Sequence, residues 1–217
     1  MQTLTKKLID ASLANRVLTE DQLRRVVGDS SQRRYYLVNR AMAEGELLRL
    51  RRGSYVLARE FRSQPAHPFA LAQAFDAGSY VSFETALAHH GWIPEAVRTV
   101  ASVTSGRKSS RHDHPVFGSF SFHPLALDSD YFLDMVERIE LTGQVALVAR
   151  PVRALMDLVC LRKQEWRGLG WLVDGLRIEP EQLRSITSAD IRSLSLVYRN
   201  QRVQSFLSSL AKELGND

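Results

Sequence analysis

The stretch that decides the fold of the amino-terminal part is residues 31–57, SQRRYYLVNRAMAEGELLRLRRGSYVL. Helical spacing predicts a helix from about Ser31 to Glu44, with Gly45 just past its carboxyl end. Two β-prone runs then flank the segment 51–54, Arg-Arg-Gly-Ser, which is typical of a β-hairpin. The sequence therefore predicts a helix followed by a hairpin that carries arginines at its tip.

The predicted helix divides into two faces at about 100° per residue. Its apolar face carries Tyr35, Leu37, Val38, Ala41 and Met42. Its polar face carries Gln32, Arg33, Tyr36, Asn39 and Arg40. No acidic residue occurs in the helix before Glu44, and the polar side chains are types that contact base edges and phosphates. Arg34 falls on the apolar side near the helix start, and we expect it to reach outward to backbone phosphate.

Two further helices precede this one. The first is predicted from Thr3 to Ala14, and the second begins after the N-cap Thr19, where Gln22 completes a capping box. Three helices and an arginine-tipped hairpin predict a winged helix-turn-helix, with helix three in the major groove and the wing on the backbone or the adjacent minor groove. The residues that we expect to contact DNA are Gln32, Arg33, Arg34, Tyr36, Asn39, Arg40, Arg49, Arg51 and Arg52.

The charge distribution agrees with DNA binding. The chain has 217 residues and a net charge of +5. Residues 1–62 hold 13 Lys/Arg against 7 Asp/Glu, whereas residues 63–217 hold 16 against 17. A small basic module on a near-neutral body is typical of nucleic-acid-binding proteins. A merely solvated basic surface, or a winged helix used for protein contact, remains an open alternative.

The sequence predicts two domains, an α+β fold class and a boundary near residue 62. Residues 59–68 are polar, contain two prolines and indicate a short semi-rigid linker. Residues 1–62 would form the DNA-binding domain, and 63–217 an α+β domain with a small, mostly antiparallel sheet and carboxyl-terminal helices. In the second domain we expect Ser82 to cap a helix that closes at Gly91, and Pro151 to open another.

No catalytic motif stands out. The chain lacks a Gly-x-Ser-x-Gly elbow, a phosphate-binding loop and a dinucleotide fingerprint, so we predict no enzyme activity and no cofactor. His112-Asp113-His114 is interpreted as an exposed polar loop rather than a metal site. Asp128, Asp130 and Asp134 are interpreted as capping and turn residues, with a magnesium-dependent nuclease kept as an alternative.

Other features indicate an intracellular protein. The single cysteine, Cys160, excludes an internal disulfide, and we expect it to be a buried core thiol. His89 and His90 are expected at a helix carboxyl terminus. No apolar run reaches the ~18 residues that a membrane span needs, and no signal peptide is evident, so we expect a cytoplasmic protein without membrane contact.

Three short blocks, in this order, resemble the AbiEi-type antitoxins, which are also described as predicted transcriptional regulators of viral defence systems. Residues 47–57 resemble the wing of that family. Residues 81–91, Val-Ser-Phe-Glu-Thr-Ala-Leu-Ala-His-His-Gly, are similar to the family's strand, Ser-x-Glu-Ser/Thr-Ala-Leu, helix and Gly block. Residues 148–158 are similar to its Pro-x-x-Ala-Leu-x-Asp helix. The likeness spans roughly residues 15–165.

The resemblance implies an antitoxin of a type IV toxin–antitoxin (abortive infection) system, which represses its own operon and counters a nucleotidyltransferase-like toxin, directly or indirectly. The implied partners are double-stranded operator DNA and that toxin, and no cofactor is implied. DNA contacts would map to Gln32, Arg33, Tyr36, Arg40, Arg51 and Arg52. The segment 166–217 is shorter than in many members of the family. A module that neutralises a protein partner without binding DNA stays the alternative function.

Overall fold

The computed structural model describes residues 3–215 and divides the chain into two compact units. The first unit runs to Ala77 and also includes Glu140–Ala146, and the second unit comprises Gly78–Ile139 and the chain from Leu147 onward. The boundary that we expected at residue 62 therefore lies after Ala77 in the structure. Within residues 3–215, no helix is both long and apolar enough to cross a membrane.

Helices and a small sheet make up the first unit. Its elements are α1 (Leu4–Asp10), β1 (Leu18–Thr19), α2 (Glu20–Val27), α3 (Ser31–Ala43), β2 (Leu47–Arg51), β3 (Ser54–Leu57) and α4 (Pro68–Phe75). The strand order is β1-β3-β2, and both pairings are antiparallel. The first helix ends earlier than the predicted Ala14, because Ser12 adopts a left-handed φ of 57° that does not continue a helix.

A hydrophobic core joins these elements. The buried side chains come from α1, α2, α3 and all three strands: Leu4, Leu8, Leu18, Leu23, Val27, Leu37, Val38, Ala41, Leu47, Tyr55 and Leu57. Because Leu37, Val38 and Ala41 face this core, the opposite side of α3 is exposed to solvent. Strand β1 is an element that the sequence did not predict, and its Leu18 lies opposite Tyr55.

The predicted capping box at the start of α2 is confirmed. The Thr19 hydroxyl accepts a hydrogen bond from the backbone N–H of Gln22, and the Gln22 side chain accepts one from the backbone N–H of Thr19 at 2.9 Å. Glu20 and Asp21 occupy the first turn, where the helix dipole favours acidic side chains. These contacts fix the start of the helix that precedes α3.

Thr19→Ala is expected to lower the free energy of unfolding by about 0.5–2 kcal/mol, because the backbone N–H of Gln22 loses its acceptor. Chemical denaturation followed by circular dichroism measures the change. Ser208→Ala, an exposed position inside the last helix, is the control and should change stability by less than about 0.5 kcal/mol. Equal effects of the two substitutions would show that the cap is energetically neutral.

The segment expected to be a linker is instead packed into the first unit. Residues Arg59–Phe61 form a short 3₁₀ helix, and Arg62 is 6% exposed. The Arg62 guanidinium donates to the carbonyl of Asn15 at 3.1 Å and to the side chain of Gln144 at 3.4 Å. Buried polar groups are normally hydrogen-bonded, and this arginine connects the loop at Asn15 to the start of the strand that begins at Gln144. The prolines correctly indicate irregular backbone, but this backbone packs within the first unit and is not a linker.

The second unit contains a mixed sheet and several helices. Its elements are β4 (Tyr80–Val81), α5 (Phe83–His89), β5 (Thr99–Thr104), β6 (Ser110–His114), β7 (Gly118–Pro124), β8 (Val136–Leu141), β9 (Gln144–Ala149), α6 (Pro151–Arg162), α7 (Pro180–Arg184), α8 (Ser188–Val197) and α9 (Gln201–Glu213). A single π turn, Trp171–Gly175, precedes α7. The turn end of the β8–β9 hairpin belongs to the first unit.

The sheet contains parallel as well as antiparallel pairs, and the sequence did not predict which pairs are parallel. Its strand order is β6-β7-β5-β4-β9-β8, in which β5–β7 and β4–β9 are parallel pairs. The pairs β4–β5 and β6–β7 are antiparallel. The β6–β7 hairpin adds to β5 through β7, which leaves β6 at the edge and makes β5–β7 parallel. Sequence pattern predicts where strands occur but not which strands become neighbours.

A buried polar network lies in the core of the second unit. Arg153 and Asp157 lie one turn apart on α6, are both 0% exposed, and form an ion pair at 3.1 Å. The Asp157 carboxylate also accepts hydrogen bonds from Ser82 at 2.7 Å, Tyr80 at 3.0 Å and Tyr198 at 2.7 Å. Ser82 occupies the predicted N-cap position of α5, but its hydroxyl donates to Asp157 and makes no capping bond. Burial, and next the charge of Asp157, raise the pKa of Tyr198 well above its ordinary value.

Candidate nucleic-acid interface

Helix α3 presents its polar face because its start and its buried side are both fixed. The Ser30 hydroxyl accepts a hydrogen bond from the backbone N–H of Arg33 at 3.3 Å, which caps the helix. The turn before it contains Gly28 at a φ of 100°, a conformation that favours glycine. Near the helix start, Gln32, Arg33, Tyr35 and Tyr36 are all exposed.

Tyr35 corrects the sequence interpretation, which placed it on the apolar face. Its side chain is 73% exposed, and that of Tyr36 is 59% exposed. At about 100° per residue, Tyr35 points roughly 110° away from the mean direction of Leu37, Val38 and Ala41. It lies at the margin of the buried face, where the sequence period alone does not decide burial. The structure thus adds a second exposed aromatic ring, and we define the α3 surface as Gln32, Arg33, Tyr35, Tyr36, Asn39 and Arg40.

Several members of the α3 surface have unused hydrogen-bonding groups. The side chains of Gln32, Arg33 and Asn39 make no hydrogen bond or ion pair to any residue between 3 and 215. Gln32 and Arg33 are exposed, and Asn39 is half-buried. Together they offer guanidinium donors and amides that both donate and accept. These are groups that a polar ligand can engage without breaking contacts inside the protein.

Arg40 is exposed but paired. Its Nε donates to the Glu44 carboxylate at 2.8 Å, one turn further along α3. The hydrogen bond that Arg40 donates to the Glu44 carboxylate, and next the negative charge of Glu44, raise the pKa of Arg40. Glu44 is the acid that the sequence places at the end of this helix, and it partly compensates the charge of Arg40. The first two turns of the α3 surface carry no such acidic neighbour on the helix itself.

Arg34 does not point outward as expected. Its side chain is 17% exposed, and its Nε pairs with Glu20 of α2 at 3.2 Å. One of its terminal nitrogens donates to the Gly28 carbonyl at 3.4 Å. Arg34 therefore closes the turn between α2 and α3, because its place on the buried side of α3 directs the guanidinium back into the unit. Its role in the structure is to hold α3 in place.

The hairpin places its three arginines in different environments. Arg52 and Gly53 form the turn between β2 and β3, and Gly53 has a φ of 76°. The Arg52 side chain is exposed and has no hydrogen bond or ion pair within residues 3–215. The Nε of Arg51 donates to the Ala74 carbonyl of α4. The guanidinium that we expected to contact phosphate therefore makes a hydrogen bond inside the protein. Arg49 is exposed on β2, opposite Tyr55.

The histidine and aspartate clusters have structural positions. His112 and His114 lie in the edge strand β6, not in the loop that we expected. Asp128 caps the 3₁₀ turn Ser129–Tyr131 as predicted and also pairs with Arg199 at 2.9 Å. Across residues 3–215, no three His, Cys, Asp or Glu side chains are grouped so that they could hold a metal ion.

The remaining sequence candidates also lie in the second unit. His89 is the last residue of α5 and His90 its C-cap, as predicted, and a His90 ring nitrogen lies 3.0 Å from the Ala149 carbonyl. Cys160 is half-buried rather than fully buried, and burial raises the pKa of its thiol. A thiol with a raised pKa is a weak nucleophile near neutral pH.

Comparison with known proteins supports the fold but gives no family. No protein-family model matches the sequence, and no curated protein matches it. The crystal structure of the RV2827C protein from Mycobacterium tuberculosis is similar, with a TM-score of 0.57 and 15% sequence identity. The alignment covers 100% of this chain and 78% of that chain. The two chains therefore share an α+β fold, and at this identity the likeness concerns the fold alone.

Proposed function

We propose that the first unit is a winged helix-turn-helix that binds double-stranded DNA, with α3 in the major groove and the β2–β3 hairpin as the wing. The observation that carries the proposal is the α3 surface, whose first two turns expose side-chain donors that have no partner among residues 3–215, and no carboxylate. The order of three helices and a three-stranded sheet, β1-β3-β2, agrees with it. An α-helix fits the width of the major groove of B-DNA.

The individual side chains fit this role to different degrees. Recognition helices contact bases mainly through their amino-terminal residues, where Gln32, Arg33 and Tyr36 lie. The Arg52 side chain at the hairpin tip is exposed and has no partner in the described part of the chain, so it can contact phosphate. Arg40 needs to exchange its bond with Glu44 for a contact with DNA, and Arg51 its bond with Ala74. We therefore expect Arg33 and Arg52 to contribute more than Arg40 and Arg51.

We further propose that DNA binding represses the protein's own operon, and that the chain counters a nucleotidyltransferase-like toxin. Support for this part is the resemblance of three blocks to AbiEi-type antitoxins. In the second unit, two of these blocks are in contact: the Ser82 hydroxyl of block 81–91 donates a hydrogen bond to the Asp157 carboxylate of block 148–158. Repression would follow from steric occlusion of the promoter and needs no cofactor.

DNA binding is tested with fluorescent duplex from the region upstream of the gene, titrated at several salt concentrations. Binding that weakens steeply with salt supports the proposal, because each phosphate contact contributes about −0.9 to the slope of log K against log salt. A protein-interaction module that does not use DNA would bind no duplex at low salt.

The antitoxin role has a separate test. Co-expression with a nucleotidyltransferase-like protein from the neighbouring gene should restore growth that the toxin alone arrests. The Arg33→Ala variant distinguishes the two activities: restored growth with lost repression places toxin control outside the α3 surface. Continued arrest with the wild-type chain would contradict the antitoxin role and leave DNA binding intact.

Glu44→Gln is expected to strengthen DNA binding. The substitution removes the carboxylate that occupies Arg40, so the guanidinium gains a phosphate contact and the salt slope steepens by about one unit. Anisotropy titrations at three salt concentrations measure both changes. Glu181→Gln removes a similar exposed pair with Arg184 and should change neither quantity. An unchanged slope for Glu44→Gln would mean that Arg40 does not face DNA.

A further inference from the structure

Four residues at the centre of the α3 surface form a single diamond. Gln32, Tyr35, Tyr36 and Asn39 are spaced i, i+3, i+4 and i+7, so they are neighbours on one side of the helix. The two amides lie at the ends of the diamond and the two exposed tyrosines at its middle. Arg33 and Arg40, also seven residues apart, lie beside it.

The amides match one kind of base edge. Neither the Gln32 side chain nor the Asn39 side chain has a hydrogen-bond partner within residues 3–215, so both side-chain amides remain available to a ligand. A carboxamide can bind adenine in the major groove in two-point fashion, donating to N7 and accepting from the N6 amino group. Guanine shows two acceptors at the same edge, and a guanidinium matches those better than an amide does.

The spacing of the amides matches the spacing of base pairs. Seven residues of α-helix span about 10.5 Å. Base pairs are stacked about 3.4 Å apart along the DNA axis, so this length corresponds to two or three base-pair steps along the groove. A helix aligned with the groove therefore brings Gln32 and Asn39 to adenines two or three base pairs apart.

The exposed tyrosine rings can make apolar contacts with the same A·T base pairs. Tyr35 is 73% exposed and Tyr36 is 59% exposed, which leaves two apolar ring surfaces between the amides. The thymine C5-methyl is the apolar group of the major groove and is read by apolar contact. An aromatic ring between two adenine-reading amides thus faces the methyl groups of the intervening A·T pairs.

We propose that the α3 surface selects an A·T-rich half-site, in which Gln32 and Asn39 read adenines and Tyr35 or Tyr36 contacts thymine methyl groups. The inference rests on the proposed DNA binding and specifies its sequence class. Gln32 and Asn39 are the specificity-determining residues, while Arg33 acts at the flank of the same surface.

The test begins with selection of binding sites from a random duplex library. The best site is then made with 7-deazaadenine, which lacks the N7 acceptor, or with uracil, which lacks the thymine methyl. We expect each replacement inside the half-site to weaken binding about 5-fold or more, and replacements outside it to have no effect.

Gln32→Ala and Asn39→Ala should each lose affinity by about 5- to 150-fold and relax the selected sequence, as loss of a two-point base contact requires. Gln201→Ala, an exposed amide at the start of α9, is the matched control.

The outcomes separate this inference from DNA binding itself. Selection of a G·C-rich site, or full affinity for the 7-deazaadenine and uracil duplexes, overturns the inference while DNA binding stands. Failure of the wild-type chain to bind any duplex at low salt overturns both. Circular dichroism of each variant checks folding, which we expect to be unchanged because the diamond lies outside the hydrophobic core.

Discussion

Asp157→Ala is expected to destabilise the second unit by about 3–5 kcal/mol. The substitution leaves Arg153, which is 0% exposed, as a buried charge without its anionic partner. It also removes the shared acceptor of the Ser82, Tyr80 and Tyr198 hydroxyls. Denaturation followed by tryptophan fluorescence measures the effect in this unit, because Trp92, Trp166 and Trp171 all lie there.

The control for this prediction is an exposed ion pair in the same unit. Arg184→Ala removes the partner of Glu181, and both side chains are largely exposed, so stability should change by no more than about 1 kcal/mol. If Asp157→Ala were as mild as Arg184→Ala, the buried network would not be a stabilising centre of the second unit. A large loss of helical signal at zero denaturant would be the extreme form of the predicted effect.

Arg33→Ala is expected to weaken binding to the preferred duplex by about 5- to 150-fold, which corresponds to about 1–3 kcal/mol. The Arg33 side chain is exposed near the start of α3 and makes no hydrogen bond or ion pair with residues 3–215, so its removal breaks none there. Anisotropy titrations against the preferred duplex and a scrambled duplex measure affinity and specificity. If Arg33 reads a base, the ratio between the two duplexes falls.

Arg34→Ala provides the matched comparison. The neighbouring arginine is paired with Glu20 and is 17% exposed, so its loss should reduce stability modestly and leave DNA affinity nearly unchanged once the protein is folded. The reverse pattern, in which Arg34→Ala abolishes binding and Arg33→Ala does not, would mean that α3 faces DNA with a different side. Thermal denaturation separates the stability effect from the binding effect.

The local features of the first unit could be predicted from the sequence. The capping box at Thr19 and the turn at Arg52–Gly53 depend on a few adjacent residues, and both occur as expected. The polar face of α3 also follows from its period, because Leu37, Val38 and Ala41 leave one direction for the core. Short-range chemistry is sufficient for such features.

Features that depend on distant partners could not be predicted. Leu18 becomes a strand residue because β3 lies beside it, and the β5–β7 pair is parallel because β6 takes the edge. Three arginines that the sequence shows only as basic residues make hydrogen bonds inside the protein. The guanidinium groups of Arg34, Arg51 and Arg62 each donate to an acceptor far along the chain or across a turn. Charge alone does not distinguish an arginine that binds a ligand from one that holds the fold.

The buried polar network of the second unit also depends on distant partners and could not be predicted from the sequence. Arg153 and Asp157 lie in an otherwise apolar helix, and their i, i+4 spacing is the signal that could have indicated a pair. Their connection to Ser82 and Tyr198 arises only when three separate segments meet. A buried charge requires such partners, and the sequence does not indicate which residues they are.

The most direct measurement is a titration of fluorescent upstream duplex with the wild-type chain and the Arg33→Ala/Arg52→Ala double variant at three salt concentrations. We predict saturable binding by the wild type, with log K falling linearly with log salt, and a weaker, less salt-dependent curve for the folded double variant. Identical curves for the two proteins, or no binding by the wild type at low salt, would contradict the proposal that the α3 surface and the hairpin bind duplex DNA.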